Sequence, residues 1–306
     1  LYAEDPYRNF LPSIGRLTRY RPPAEGRNGD VIIRNDTGVF EGAEISMYYD
    51  PMIAKLCTWA PSRLQAVEAM GQALDAFVVD GIEHNVPFLA ALMKHPRWRE
   101  GRLSTGFIAE EYPDGFAPMA PDAAEEAALA AIALSVSLIE AGRREGFADR
   151  LRQASGPLRE EWVVKLGGNY VPVKLVDGLV TIPFEMEMEV AGRTETVVTD
   201  WRPGDPVWHG RIASRPVTAQ IRPILNGLRI DWQGLSVKAR VFTPRHAELD
   251  RLMPVKLPPD TSKLLLCPMP GLVVSIAVAE GQEVKAGETL AVVEAMKMEN
   301  VLRAER

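Results

Sequence analysis

Apolar residues at Leu64, Val67, Met70, Leu74 and Phe77 recur at three- and four-residue steps, the spacing that lines one face of a helix. Ser62 and Gln65 stand just ahead of them as a capping box, in which each side chain satisfies a backbone donor of the other. A helix is therefore predicted to open at Ser62. A second is predicted over residues 85–94, with Pro87 in its first turn, where a missing N–H breaks no intrahelical bond. Residues 31–34 and 52–59 read as strands, so the chain up to about residue 115 is α+β.

Pro121-Asp122 opens a different pattern. Asp122 and Glu125 make a second cap, and the alanine-rich run behind them is expected to end at Gly142. Residues 127–139 are apolar nearly all round, which suits a helix enclosed by other structure. The run falls well short of the roughly 20 residues of a membrane span. From residue 161 the period changes to short strands, predicted at 161–166, 170–176, 179–184, 185–190, 194–201, 207–213, 217–224, 228–232 and 235–243. Asp177-Gly178 and Asn226-Gly227 are dipeptides that tight hairpins favour, because both residue types accept positive φ. The pattern predicts an antiparallel meander closed into a barrel with the long helix as its plug. Pro254, Pro258 and Pro259 mark residues 253–262 as a linker reaching on the order of 30 Å at about 3.1 Å per residue. Residues 263–306 are β-rich, with Gly271, Gly281 and Gly287 at turns.

The balance of 35 Lys plus Arg against 41 Asp plus Glu, 35 − 41 = −6, comes without a basic stripe and argues against a nucleic-acid partner. Cys57 and Cys267 are too few for a disulfide framework and too far apart for a zinc pattern, so a reducing compartment is expected. His84, His95, His209 and His246 show no ligand spacing, and no metal site is expected. Glu185, Glu187 and Glu189 alternate with Met186, Met188 and Val190, which predicts a solvated strand face, and Trp201, Trp208 and Trp232 read as packing residues.

The sharpest chemistry lies at Glu294-Ala295-Met296-Lys297-Met298-Glu299-Asn300. Strand-like residues flank it on both sides, so Lys297 is expected at the tip of a hairpin, presented to a modifying enzyme. A solvated lysine guarding a turn is the simpler reading. Methionine on both sides speaks against it, because exposed turns seldom carry two large apolar side chains without a partner to contact. Ala295-Met296-Lys297-Met298, preceded by Cys267-Pro268-Met269-Pro270-Gly271 and by the spacing of Gly281, Val284 and Gly287, resembles the biotin carboxyl carrier domain of biotin-dependent carboxylases. Lipoyl domains share the flattened sandwich, but usually place aspartate before and alanine after the lysine.

Elsewhere, Ala3-Glu4-Asp5-Pro6, Asn9-Phe10-Leu11-Pro12-Ser13, Tyr48-Tyr49-Asp50-Pro51-Met52-Ile53 and Asp80-Gly81-Ile82-Glu83-His84-Asn85 are similar to the C-terminal lobe of an ATP-grasp biotin carboxylase. Tyr112-Pro113-Asp114-Gly115-Phe116 and the plugged barrel resemble the α chains of acyl-CoA carboxylases of the propionyl type. The resemblance implies this organisation: residues 1–115, the carboxylase lobe; 116–252, the barrel that docks on a carboxyltransferase β subunit; 253–262, the linker; 263–306, the carrier. It implies covalent biotin on Lys297, with Ala295, Met296 and Met298 presenting it to a biotin protein ligase, and Thr105 and Gly106 at the edge of the adenine pocket. A Ser-Thr helix cap accounts for those last two residues equally well.

In the implied reaction, ATP, Mg²⁺ or Mn²⁺ and bicarbonate carboxylate the biotin, which then serves propionyl-CoA on the β subunit. The biotinyl-lysine arm spans only roughly 14 Å, so the whole carrier has to travel. Methylcrotonoyl-CoA or acetyl-CoA carboxylase, and a lipoyl-type carrier and docking module without catalysis, remain the alternatives. A large α/β assembly is implied, α6β6 for the propionyl type, in the bacterial cytoplasm or mitochondrial matrix with the cytoplasm preferred and no membrane partner. Leu1 is not methionine and falls within a motif, so the chain is expected to be a piece of a longer protein, with the catalytic arginine and the ATP site upstream. A second half of the carrier is expected beyond Arg306, and a chain ending there is expected to expose apolar faces at 272–277 and 290–294 and to take biotin poorly.

Overall fold

The computed structural model describes residues 1–145, 159–180, 182–254, 264–267, 271–295 and 298–304. It divides into two compact units, one of Leu1–Met70, Val79–Ala117 and Leu257–Arg306, the other of Gly71–Val78 and Pro118–Lys256.

In the first unit, β1 (Gly26–Asn28), β2 (Val31–Thr37) and β3 (Ala54–Trp59) form an antiparallel sheet with β2 in the centre. Helix α1 (Arg63–Ala76) starts in the predicted capping box: Ser62 N donates to Gln65 Oε1 at 3.2 Å and Gln65 N to Ser62 Oγ at 3.3 Å. Its packed face begins at Val67. Leu64, expected on that face, is exposed together with the rest of the first turn.

Helix α2 (Val86–Lys94) follows Asn85, whose side chain does not cap it but accepts from Tyr2 N at 2.9 Å. Two short helices, α3 (Pro96–Glu100) and α4 (Phe107–Glu111), complete the lobe. Phe88 packs edge-on against Phe10, Tyr112 and Phe116. Arg97 Nη1 lies 2.7 Å from Glu110 Oε2 and also bonds Glu111 Oε1, tying α4 to α3.

The second unit is the plugged barrel. Helix α5 (Ala123–Glu145) is capped as predicted: Asp122 N donates to Glu125 Oε2 at 2.9 Å, and Glu125 N to Asp122 Oδ1 at 2.8 Å. The strands β4 (Glu161–Leu166), β5 (Asn169–Leu179), β6 (Phe184–Val190), β7 (Arg193–Thr199), β8 (Val207–Ile212), β9 (Arg215–Ile224), β10 (Gly227–Trp232) and β11 (Leu235–Phe242) pair in sequence order. Pairing of β4 with β11 closes the barrel.

Leu129, Ile132, Leu134 and Val136 of α5 are inaccessible to solvent and share one core with Val164, Phe184, Met188, Trp208 and Ile230 of the wall. Burying a side chain of this size stabilises by about 1.5–3 kcal/mol, so the helix is part of the core and not an accessory to it. One polar tie crosses this core: Trp208 Nε1 donates to Ser135 Oγ at 3.2 Å, and Ser135 Oγ donates to Ile132 O at 2.8 Å. On β6 the alternation holds, with Phe184, Met186, Met188 and Val190 buried and Glu185, Glu187 and Glu189 exposed.

Four details differ from the sequence expectation. Among the described residues the barrel has one strand fewer: Leu179 ends β5, Phe184 begins β6, and Pro183 between them has no N–H to offer a ladder. Asp177-Gly178 forms no hairpin but runs on within β5, paired with Glu187 and Met186 just after a bulge between Leu175 and Asp177. Gly178 has φ +131°, and a Cβ there would meet Glu185 O at 2.4 Å, so the glycine serves a close approach of β6. Helix α5 runs through Gly142 to Glu145. A Cβ on Gly142 would lie 3.2 Å from Val180 Cγ1, so this glycine also makes room rather than ending a helix.

Finally, helix α6 (Pro244–Arg251) follows β11, with Thr243 Oγ1 accepting from His246 N at 3.3 Å as its cap. Its sequence carries too little apolar periodicity to announce it. The hairpin at Asn226-Gly227 does form, with Asn226 at φ +59° in the tight link between Ile224 and Gly227. Ala191, Ala213 and Gln233 take the same left-handed conformation in equivalent links, at φ +52°, +53° and +51°. Of the predicted linker 253–262, Met253 and Pro254 follow α6, and the rest lies outside the described residues.

Candidate functional site

The C-terminal sheet consists of β12 (Leu272–Ile276), β13 (Thr289–Ala295) and β14 (Met298–Arg303), with β13 in the centre. Two similar turns set up β13. In the first, Gln282 N donates to Ala279 O at 3.1 Å while Ala279 N donates to Gln282 Oε1 at 3.0 Å. In the second, Glu288 N donates to Lys285 O at 3.0 Å while Lys285 N donates to Glu288 Oε2 at 2.9 Å. Gly281 and Gly287 occupy the third position of each at φ +80° and +82°, where a type II turn requires positive φ.

Backbone bonds from Gly287 N to Ala304 O at 2.7 Å and from Ala304 N to Glu288 O at 2.9 Å, with Arg303 Nη1 on Gly287 O at 3.0 Å, close the base of the β13–β14 hairpin. Its other end closes with Ala295 opposite Met298.

The chain therefore leaves β13 at Ala295 and re-enters β14 at Met298; Met296 and Lys297, the residues between, lie outside the described residues. One rung below the closing pair, Glu294 and Glu299 face each other and both are exposed. Two like charges in direct register disfavour pairing, which costs this end of the hairpin some strand stability. The alternation of the sequence did not reveal that pairing, which depends on the two-residue link. Leu272, Val273, Val274 and Ile276 of the edge strand β12 are exposed, as expected for 272–277. On β13, Ala291 and Val293 are buried, contrary to the expectation for 290–294, because β13 is the central strand.

Thr105 and Gly106 sit in the turn before α4, on a different element from the Lys297 hairpin. Gly106 is the N-cap residue, no side chain caps the helix there, and the Ser-Thr cap that the sequence suggested is not formed. The Glu110 carboxylate lies against this glycine, where a Cβ would come within 2.8 Å of Glu110 Oε1. Nearby, the hydrogen bond from Arg97 holds the Glu111 carboxyl below the usual carboxylate range, and His95 Nε2 lies 3.2 Å from Glu111 Oε2. Among the described residues no cluster of His, Cys, Asp or Glu could hold a metal ion, Cys57 and Cys267 form no disulfide, and no helix is long and apolar enough to cross a membrane.

Three family descriptions match consecutive parts of the chain: the biotin carboxylase C-terminal domain at residues 1–110, the propionyl-coenzyme A carboxylase BT domain at 129–256, and the biotin-requiring enzyme domain at 263–306. This is the domain order of a biotin-dependent carboxylase chain, and it bears out the resemblance read from the sequence. The particular likeness is to propionyl-CoA carboxylase α chains. That of Ruegeria pomeroyi is 50% identical over 100% of this chain and 47% of its own length, and the mitochondrial one of Mus musculus is 36% identical over 99% and 42%. A mitochondrial methylcrotonoyl-CoA carboxylase subunit α of Mus musculus is 28% identical over 99% and 42%. The chain thus spans about half the length of the curated relatives it matches. Among solved structures, the biotin carboxylase domain of a thermophilic 2-oxoglutarate carboxylase is 39% identical over 37% of this chain and 24% of that one, with a TM-score of 0.33.

Proposed function

We propose that the chain is the C-terminal part of the biotin-carrying α subunit of an acyl-CoA carboxylase, with propionyl-CoA as the acceptor and methylmalonyl-CoA as the product. The observation that carries this is the end-to-end similarity to propionyl-CoA carboxylase α chains, at identities above that to the methylcrotonoyl relative. Residues 1–115 serve as the C-terminal lobe of the carboxylase, 116–252 dock on a carboxyltransferase β subunit, 253–262 are the arm and 263–306 the carrier.

In this reading a biotin protein ligase joins Lys297 Nζ to the biotin carboxyl as an amide, driven by ATP. The closing pair Ala295–Met298 supports the assignment, since it leaves only Met296 and Lys297 between two paired strands. Attached biotin supplies a ureido nitrogen that carries carboxylate from the ATP- and bicarbonate-dependent site, with its Mg²⁺ or Mn²⁺, to the acyl-CoA. Thr105 and Gly106 would border the adenine pocket of that upstream site, and the catalytic arginine would precede Leu1. We place the enzyme in the bacterial cytoplasm or the mitochondrial matrix, as an α6β6 assembly.

The test is reconstitution of the full-length biotinylated subunit with its β partner. ATP-dependent fixation of labelled bicarbonate is then compared on propionyl-CoA, methylcrotonoyl-CoA and acetyl-CoA. Propionyl-CoA is expected to give the highest kcat/KM. Highest activity on either competitor would reassign the substrate, and no fixation on any of them would reject the enzyme reading.

A further inference from the structure

Helix α6 is the last element before the arm, and it holds to the barrel by unusual means. Of its apolar residues Ala247 is buried, while Leu249 stays 44% exposed, so apolar burial secures little of it. The fastening is polar and converges on one atom. Asp250 Oδ2 accepts from Lys165 Nζ of β4 at 2.6 Å and from Tyr170 OH of β5 at 2.6 Å. The Arg251 guanidinium lies 4.5 Å from the Tyr170 ring centroid, and Lys165 Nζ lies 5.1 Å from it.

A carboxylate in the last turn of a helix sits at the negative end of the helix dipole, an unfavourable place unless cations answer it. Here they do. The bonds from Lys165 and then Tyr170 hold the Asp250 carboxyl below the usual range, and the same contact with Asp250 holds the Lys165 ammonium above its own. Just beyond the clasp the side chains turn to solvent: Leu252 is 79% and Met253 69% exposed.

We propose that the Lys165–Tyr170–Asp250 clasp is a positioning device that fixes where the carrier arm leaves the barrel. This rests on the carrier reading above. With the clasp closed, the arm is the ten residues 253–262. With it open, Leu252 and the eight residues of α6 join the arm, making nineteen and adding on the order of 28 Å of reach at about 3.1 Å per residue. Effective concentration falls roughly as the −3/2 power of tether length, so opening the clasp lowers delivery of the carrier to its two sites about 2.6-fold. Asp250 is thus a positioning residue that touches neither substrate nor cofactor.

The test uses the full-length biotinylated subunit with its β partner, wild type beside Asp250→Ala, Tyr170→Phe and Lys165→Arg. Hydrogen exchange over residues 244–254 is expected to quicken about tenfold or more in Asp250→Ala and less in Tyr170→Phe, and to stay near wild type in Lys165→Arg, which keeps the cation. Overall acyl-CoA carboxylation is expected to fall about 2.6-fold in Asp250→Ala. Carboxylation of free biotin, which needs no arm, is expected to stay unchanged.

Unaltered exchange over 244–254 in Asp250→Ala would overturn the clasp. A parallel fall of the overall and free-biotin activities would overturn the positioning role, since general damage lowers both. Should Asp250→Ala fail to fold, Tyr170→Phe gives the same two readouts. Failure of the carrier reading is a separate result, visible as absence of biotin from the wild-type protein, and the exchange measurement does not depend on it.

Discussion

Ser135→Ala isolates the tie between the central helix and the barrel wall. Ser135 and Trp208 are both inaccessible to solvent, and Trp208 Nε1 donates to Ser135 Oγ at 3.2 Å. Removing the hydroxyl leaves the indole N–H buried without its acceptor, which costs about 1–3 kcal/mol, whereas the volume lost is that of one oxygen. For a unit of this size, about 2 kcal/mol corresponds to a fall of roughly 4–8 °C in the melting temperature.

The reverse truncation, Trp208→Phe, leaves Ser135 bonded to Ile132 O at 2.8 Å, so no orphaned donor remains. In that background Ser135→Ala is expected to cost under about 0.5 kcal/mol, giving a coupling energy near 1 kcal/mol or more in the double-mutant cycle. Thermal melts, with hydrogen exchange read over α5, measure all four proteins. An equal cost of Ser135→Ala in both backgrounds, or a shift below 1 °C in the wild-type background, would refute the reasoning.

Gly178→Ala is expected to destabilise the barrel by about 2 kcal/mol or more, because φ +131° is strained for alanine and its Cβ would meet Glu185 O at 2.4 Å; chemical denaturation checks it. Asp122→Ala removes the acceptor for Ala124 N and Glu125 N, and is expected to cost about 0.5–2 kcal/mol, seen as faster exchange confined to the first turn of α5. The pH dependence of α4 follows from Glu111. Its folded-state pKa is lowered by Arg97, so its contribution is present above the ordinary carboxylate pKa and is lost as pH falls through the lowered value. Exchange over Phe107–Glu111, corrected for intrinsic rates, is expected to hold steady through neutral pH and to accelerate in acid below about pH 4. Glu111→Gln is expected to remove that pH step.

The parts of the fold that were legible in the sequence are those governed by local rules. Ser62 with Gln65 and Asp122 with Glu125 form their reciprocal caps because both partners lie within one helical turn. The alternation from Phe184 to Val190 survived intact because one face of β6 meets the core and the other meets water. The all-apolar helix implied its own enclosure, and the barrel supplies it.

What failed depended on distance. Gly142 and Gly178 read as stops and turns, yet their use is set by Val180 and by β6, which no local rule sees. Leu64 satisfied the period but lies in an exposed first turn. The signal for α6 was present in Thr243-Pro244, a capping residue followed by proline at the first helical position, but Ala247 and Leu249 make no stripe and the hold comes from Lys165 and Tyr170 far upstream. At the candidate site the motif was fully legible, whereas the Glu294–Glu299 register needed the paired strands.

The central claim is that Lys297 carries biotin. It is tested most directly by the intact mass of the full-length protein, wild type beside Lys297→Ala, after expression with a biotin protein ligase. A gain of one biotinyl group in the wild type and none in the variant is the expected result. An unmodified wild type, a lipoyl adduct, or a biotinyl group that persists in Lys297→Ala would contradict it.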